Sequence, residues 1–435
     1  MSIRTVTVIG ANGTMGRNVS AIFASFGNAK VHMVCRDMEK AKEAVEKAVQ
    51  SVKADSIRRN LLPADFSTLL DCVRESDLVF DSVAENMEIK GEVIGQIRDA
   101  LPQDAYFCSG TSGLSITKLA EMLPEEKRRN VFGVHFFNPP YSLNLCELIK
   151  TNYSDVNKHQ KLREYLSSCL HRSVVEIKDR PAFLGNRIGF QFLNEAMQYA
   201  QRCQDSGGID YIDSILGPFS GRSMPPLVTS DFVGLDIHQA IVDNLYSNLA
   251  SGDKEAYKMP DFAVSLVKEG RLGRKTKGGL YKTLILSEND KKRLVFDIAS
   301  STYRDQIEYN FSFAQKAIHH LARGDYQAAA FSIFNNESQE AEICTEFLLK
   351  YIFYSLQASL EVGNSTHDAD VVMVHGYGWC PPQAMLEWIS STGMLHSISK
   401  ERLPKSFQEI FDIDMLLGVA QKSGFDYRRY LHAKK

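Results

Sequence analysis

The stretch Val8-Ile9-Gly10-Ala11-Asn12-Gly13-Thr14-Met15-Gly16 decides the fold, because it joins a β-rich segment to a helical one through three glycines. In such a unit the first glycine allows a tight turn and the second lets the backbone approach a pyrophosphate. The third lets the helix pack closely on the strand, and the helix amino terminus receives the phosphates. We therefore predict a dinucleotide-binding βαβ unit. Its predicted cofactor contacts are Gly10, Asn12, Gly13, Met15 and Gly16.

The end of the second predicted strand bears on the choice of cofactor. An NAD site places a carboxylate there for the ribose 2′-hydroxyl, whereas an arginine accommodates the 2′-phosphate of NADP. In this chain Cys35 takes the usual acidic position and Arg36 follows it. Asp37 reaches the ribose only if the strand runs two residues longer; otherwise Arg36 and Asp37 begin a solvated helix. We predict NAD with Arg36 and Asp37 as contacts, and Arg36 leaves NADP open.

Strands alternate with helices up to about residue 180, which predicts a parallel sheet covered on both faces. Beyond Phe183 the pattern is helical, and a weak repeat relates Leu193–Leu227 to Leu356–Gln383. The predicted fold class is α/β: a Rossmann-like parallel-sheet N-terminal domain followed by two all-α helical domains. The predicted domains are residues 1–180 (dinucleotide-binding), 181–283 (helical), 284–340 (helical connector) and 341–435 (a second, degenerate helical domain).

The composition of the 435 residues is typical of a globular protein, with 44% hydrophobic and 24% charged residues. A net charge of -3 gives no reason to expect nucleic acid or a membrane surface as a partner. No apolar run is long enough for a membrane span, and no signal-peptide pattern opens the chain. The eight cysteines are scattered without a C-x-x-C pair, so we expect no metal site, no disulfide framework and a cytoplasmic location.

Three later segments carry polar residues in apolar surroundings. They contain Ser112, His135 with Glu147 downstream, and Asn186. Oxidation of an alcohol needs a base near neutrality, which a histidine with a carboxylate partner supplies. Hydroxyl and amide donors can hold the substrate oxygen. Each residue alone also has a structural explanation: a core histidine, a surface glutamate, or a helix cap for the serine and the asparagine.

Together these segments resemble the L-3-hydroxyacyl-CoA dehydrogenase family over about residues 3–282. The resemblance is carried by Ser109–Leu114, His135–Pro139, the strand around Glu147, Asn186-Arg187, Glu85-Asn86 with Lys90, Asp231–Asp236 and Leu272–Tyr281. It implies an NAD(P)-dependent conversion of a 3-hydroxyacyl-CoA thioester, a small-molecule substrate. It also implies that His135 is the base, Glu147 its partner, and Ser112 and Asn186 the contacts of the substrate oxygen. Four further residues are implied near the cofactor: Glu85, Lys90, Asn138 and Lys275.

The chain also departs from this family. The glycine loop has an extra residue, and the second helical copy has no Asn-Arg pair near residues 349–351, so we expect that copy to be structural. It could cover the surface through which single-copy members dimerise, which leaves monomer and dimer open. Lys53 and Arg58 are candidate CoA contacts, although a solvated helix end explains them equally well. A free 3-hydroxy acid, an acyl-carrier-protein thioester and a non-catalytic cofactor-binding scaffold remain alternatives.

Overall fold

The computed structural model describes residues 3–249, 252–276, 278–285, 287 and 291–433. The chain forms two compact units. The first runs to Phe183 and includes Val362–Asn364, and the second comprises Leu184–Glu361 and the residues from Ser365 onward. The first unit thus ends close to the boundary predicted after residue 180.

An eight-stranded sheet forms the centre of the first unit, with the strand order β3-β2-β1-β4-β5-β6-β7-β8. The strands are β1 (Thr5–Ile9), β2 (Lys30–Cys35), β3 (Leu61–Asp65), β4 (Leu78–Asp81), β5 (Tyr106–Ser109), β6 (Val131–Phe136), β7 (Leu145–Lys150) and β8 (Ser173–Lys178). The helices are α1 (Thr14–Ser25), α2 (Met38–Val52), α3 (Leu69–Arg74), α4 (Met87–Ile97), α5 (Ile116–Glu121), α6 (Glu125–Arg128) and α7 (Val156–Glu164). This arrangement confirms the Rossmann-like class.

One strand of this sheet, β3, was not predicted. It contains Pro63, which has no backbone N–H to donate to a neighbouring strand. Its place at the sheet edge, where only β2 pairs with it, tolerates that loss. Because of the proline, the local sequence does not indicate a strand here, and its pairing with β2 is seen only in the tertiary structure.

The sheet is parallel except between β6 and β7, which pair antiparallel. In that pair His135 lies directly opposite Glu147. Directly opposed residues project from the same face of an antiparallel pair, so their side chains are within contact distance. This single reversal of direction brings together two of the predicted site residues.

The second unit is mainly helical. Its helices are α8 (Gly185–Arg202), α9 (Ile209–Ile215), α10 (Pro226–Val233), α11 (Leu235–Asn248), α12 (Asp261–Lys268), α13 (Ser312–Ala322), α14 (Tyr326–Phe334), α15 (Gln339–Val362), α16 (His367–Tyr377), α17 (Pro382–Ser390), α18 (Leu395–Glu401), α19 (Lys405–Ile410) and α20 (Ile413–Val419). In the part of the chain that the structure describes, no helix is long and apolar enough to cross a membrane.

The second unit also contains a small antiparallel sheet of β9 (Tyr281–Ile285), β10 (Lys291–Asp297) and β11 (Thr302–Asp305), in the order β11-β10-β9. The prediction of a helical connector over residues 284–340 is therefore wrong for its first half, although α13 and α14 follow. Short strands with charged ends show too few apolar positions for their periodicity to be told from that of a helix. This segment forms a sheet because β10 pairs with β9 on one side and with β11 on the other.

Two buried aspartates cap helices in this unit. Asp213 accepts hydrogen bonds from the backbone N–H groups of Leu227 (2.7 Å) and Val228 (3.1 Å) at the start of α10. Asp370 accepts one from the backbone N–H of Gln383 (2.9 Å) at the start of α17. Both helices open on a proline, so the same device for starting a helix occurs twice along the chain.

Candidate active site

The glycine loop has the geometry of a phosphate cradle. Gly10 has a φ of +83°, and a Cβ there would lie 2.6 Å from the carbonyl oxygen of Ser82. A Cβ on Gly16 would lie 2.4 Å from the carbonyl oxygen of Gly10. Gly13 precedes α1, whose first turn has no acidic residue and no side-chain cap among the described residues. The amides at this helix start can therefore receive an anion.

The carboxylate expected near the end of β2 has its contacts at the start of the following helix. The strand ends at Cys35, and Asp37 instead caps α2 by accepting from the backbone N–H of Lys40 at 2.8 Å. The Asp37 carboxylate also pairs with Lys40 Nζ at 3.0 Å. Its carboxylate thus has structural partners at the start of α2, and the predicted cofactor contact of Asp37 stays a prediction. Cys35 is buried, which raises the pKa of its thiol to about 11, while Arg36 is exposed.

Glu85 accepts two hydrogen bonds from the loop that contains Ser112. Its Oε1 atom accepts a hydrogen bond from Thr111 Oγ1 (2.6 Å) and another from the backbone N–H of Ser112 (2.8 Å). Ser112 does not cap α5: Ser115 is the capping residue, and it accepts from the backbone N–H of Lys118. The structural explanation of Ser112 as a helix cap therefore fails, and its loop is held in place by Glu85.

Lys90 was predicted to contact the cofactor, but the structure buries it. Its side chain is 1% exposed, and Nζ lies 2.7 Å from Oδ2 of Asp81, which is 2% exposed. Ser109 Oγ donates to the same carboxylate at 2.8 Å. A buried charge needs such a partner, because desolvation without one is costly. Lys90 therefore joins α4 to the ends of β4 and β5, and this burial contradicts a direct cofactor contact.

His135 and Glu147 form a buried pair. His135 is 5% exposed and Glu147 is 0% exposed, and Nδ1 of the ring lies 2.7 Å from Oε2 of the carboxylate. The rings of Phe137 and Phe183 pack at 4.5 Å and 5.7 Å between centroids. A neutral ring that donates from Nδ1 to this carboxylate carries its lone pair on Nε2. The pair can therefore accept a proton at Nε2 while the carboxylate stabilises the resulting positive charge.

Asn186 lies in the first turn of α8, in the second unit, and is 6% exposed. Its Oδ1 atom accepts a hydrogen bond from the hydroxyl of Tyr377 at 3.0 Å. Tyr377 could not be singled out from the sequence, because no motif includes it and its partner Asn186 lies 191 residues away. Leu184, not Asn186, occupies the cap position of α8.

The remaining predicted contacts are exposed or partly exposed residues. Asn138 is exposed, and Lys275 Nζ pairs with the Asp236 carboxylate at 2.5 Å and 2.7 Å. Lys53 is exposed at the end of α2. The guanidinium of Arg58 binds both carboxylate oxygens of Glu46, so an anionic ligand would have to compete with that carboxylate. For the described residues, no group of three or more His, Cys, Asp or Glu side chains could hold a metal ion.

Two family models match the chain. Residues 5–180 match the 3-hydroxyacyl-CoA dehydrogenase NAD binding domain, and residues 183–283 match the 3-hydroxyacyl-CoA dehydrogenase C-terminal domain. A probable 3-hydroxyacyl-CoA dehydrogenase of Bacillus subtilis is 24% identical over 402 residues, which are 87% of this chain and 50% of the relative. A 3-hydroxybutyryl-CoA dehydrogenase of Bradyrhizobium diazoefficiens is 30% identical over 291 residues, 64% of this chain and 95% of that protein. The chain spans about half the length of the first relative and nearly all of the second.

A solved structure shares the fold over almost the whole chain. It is the crystal structure of 3-hydroxybutyryl-CoA dehydrogenase from Escherichia coli, with a TM-score of 0.64 and 19% sequence identity. The alignment covers 96% of this chain and 99% of that one. The shared fold therefore extends beyond residue 283, where the family models stop.

Gly16→Ala tests the cradle. The new Cβ overlaps the carbonyl of Gly10, so the loop must move and its amides lose their alignment. We expect the Kd for NADH, measured by fluorescence titration, to rise by about tenfold, in line with overpacking costs of about 1–3 kcal/mol. Gly95→Ala in α4 is the matched control, because its Cβ meets nothing within 4 Å. Unchanged NADH binding by Gly16→Ala would show that the loop does not cradle the cofactor.

Proposed function

The chain belongs to the 3-hydroxyacyl-CoA dehydrogenase family, and from this premise we propose that it interconverts a 3-hydroxyacyl-CoA thioester and its 3-oxoacyl counterpart with NAD. Membership confirms the resemblance drawn from the motifs. The observation that carries the proposal is the buried pair of His135 and Glu147, whose Nδ1–Oε2 distance is 2.7 Å. A histidine in this setting is a base matched to the proton of an alcohol.

The proposed mechanism assigns each residue one task. NAD, when bound, supplies the hydride acceptor. His135 takes the 3-hydroxyl proton at Nε2, and Glu147 stabilises the imidazolium through Nδ1–H. Ser112 and Asn186 donate hydrogen bonds to the substrate oxygen as the alcohol becomes a ketone. In the reverse direction His135 returns the proton to the same oxygen.

The glycine loop supports NAD in the same proposal. A Cβ at Gly10 or Gly16 would overlap neighbouring backbone atoms, so the turn between β1 and α1 needs glycine at both positions. Such a tight turn is typical of a dinucleotide-binding loop. We assign the pyrophosphate to the amides of residues 12–16 at the start of α1. For CoA we propose the exposed side chains of Lys53 and Arg58, whose cationic groups suit its phosphates.

His135→Ala tests the assignment of the base. We expect the rate of acetoacetyl-CoA reduction to fall by about 10²–10⁴-fold, which is the usual contribution of a general base. The Kd for NADH should change little, the melting temperature should fall because the buried Glu147 carboxylate loses the His135 ring, and free acetoacetate should be a poor substrate for the unsubstituted chain. Steady-state kinetics with both substrates measure these effects.

The matched control is His32→Ala. His32 lies on β2 of the same sheet and also faces a glutamate, with Nε2 at 3.7 Å from Oε2 of Glu75. That glutamate is 70% exposed, unlike Glu147. The control should retain the activity of the unsubstituted chain. Nearly full activity in His135→Ala would remove His135 from the mechanism.

Arg36 provides a test of cofactor preference. Cys35 stands where an NAD site usually has a carboxylate, and the charge of Asp37 is partly offset by its pairing with Lys40, so a 2′-phosphate meets less repulsion than in a typical NAD site. We expect the unsubstituted chain to bind NADH and NADPH within about tenfold of each other. Arg36→Ala should weaken NADPH binding by about tenfold and NADH binding by less than twofold, because hydrogen bonds to charged groups are worth about 1.5–3 kcal/mol. Lys42→Ala, which removes an exposed charge from the helix α2 that follows Arg36, is the control, and an equal effect of both variants would contradict the assignment.

We also propose that residues 341–435 are a second copy of the helical domain that covers the first within one chain. The matching aspartate caps of α10 and α17 support the duplication. The ring of Phe192 packs edge-on against Phe347, Tyr351 and Trp379 at 5.3–5.9 Å. Arg222, fully buried, lies 3.6 Å from the centroid of the same Phe192 ring. An apolar face covered in this way is unavailable to a second subunit.

The mass in solution tests this proposal. Light scattering coupled to size-exclusion chromatography should give about the 48.9 kDa of one chain at all concentrations. The physical reason is that the aromatic face of α8 is already buried by α15 and the segment after α16. A concentration-independent mass of twice that value would show that a dimer interface lies elsewhere.

The cysteines support a reducing location. All eight are free thiols, and six of them are buried. Burial raises the pKa of Cys108, Cys146 and Cys380 far above the ordinary value, so these thiols stay protonated and unreactive. We propose the cytoplasm as the location of the chain.

A further inference from the structure

We infer that Tyr377, which belongs to the second helical copy, is a positioning residue that orients Asn186 for the substrate oxygen. The inference rests on the proposed function. It gives the second copy a part in the reaction, whereas the absence of an Asn-Arg pair near residues 349–351 predicted a purely structural role.

The contact is specific and well supported. The hydroxyl of Tyr377, the last residue of α16, donates to Oδ1 of Asn186 at 3.0 Å. The Trp379 ring packs on Tyr377 with 5.0 Å between centroids. Gly189 makes room for the tyrosine, since a Cβ at this position would lie 2.4 Å from Cζ of Tyr377. Any larger residue one turn after Asn186 would displace the ring.

The neighbouring residue shows the same dependence on the second copy. Arg187 Nε donates to the hydroxyl of Tyr354 at 3.1 Å, and its Nη2 binds the carboxylate of Glu361. Both partners lie on α15. The first turn of α8, which carries Asn186 and Arg187, is thus held by side chains from two helices of the second copy.

The chemical reason for this contact is that an amide has two unlike ends. The oxygen accepts and the nitrogen donates, and the two differ little in shape, so packing alone does not choose between them. In the structure the Tyr377 hydroxyl donates to Oδ1, and this bond holds the amide in the orientation in which we assign Nδ2 to the substrate oxygen. An amide in the other orientation would present Oδ1 to the ketone oxygen of the 3-oxoacyl group, and neither of these two atoms can donate a hydrogen bond.

Tyr377→Phe tests the inference, because it removes the hydroxyl and keeps the ring. We expect kcat for acetoacetyl-CoA reduction to fall by about fivefold to tenfold, the range expected for one hydrogen bond. KM, the Kd for NADH and the melting temperature should stay unchanged. Tyr351→Phe is the matched control: its buried hydroxyl donates to the carbonyl of Cys380 at 2.7 Å in the same copy, and its loss should leave kcat unchanged.

A double-mutant cycle separates positioning from a general structural effect. In an Asn186→Ala background, Tyr377→Phe should lower kcat no further, because the group that it orients is absent. Equal losses in both backgrounds, or no loss in the single variant, would overturn the inference while leaving the proposed function intact. If the unsubstituted chain reduces no 3-oxoacyl-CoA, the proposed function fails and the inference fails with it.

Discussion

The antiparallel pairing of β6 with β7 is the constraint on which the proposed chemistry depends. All other neighbours in the sheet are parallel, and this one reversal places Glu147 opposite His135. Side chains alternate between the faces of a strand, so a slip of one residue would turn Glu147 to the other face. The backbone ladder therefore places the His135 ring against the Glu147 carboxylate, and both side chains are buried where water does not weaken their interaction.

Much of the first unit could be predicted because its signals are local. A glycine loop between a strand and a helix can be recognised from a few adjacent residues. The structure shows the positive φ of Gly10 and the close backbone approach at Gly16 that this pattern requires. The edge strand β3 and the strand β10 could not be predicted, because their formation depends on pairing with strands distant in the chain. The proline in one and the charged end of the other weaken the local signal.

The candidate site shows the same division. His135 and Glu147 could be paired from the sequence through the resemblance, and the structure places them in contact. Asp37 and Lys90 each have a partner that the motif does not specify: a backbone N–H in one case and a buried carboxylate in the other. A polar residue near a cofactor motif has several ways to satisfy its hydrogen bonds, and only the tertiary structure chooses among them.

Under the proposed duplication, the two helical copies differ in the polar residues that they carry. Both retain the buried aspartate that starts a proline-led helix, because an uncapped buried helix end would cost stability in either copy. Only the first copy retains the Asn-Arg pair, and the second has instead placed Tyr354, Glu361 and Tyr377 against it. Covering a surface demands only complementary packing, which many residues satisfy, so the second copy could lose its own polar pair. The hydrogen bonds that it makes to the first copy are directional. Asn186 needs such a bond, because in the proposed mechanism it must present one end of its amide to the substrate.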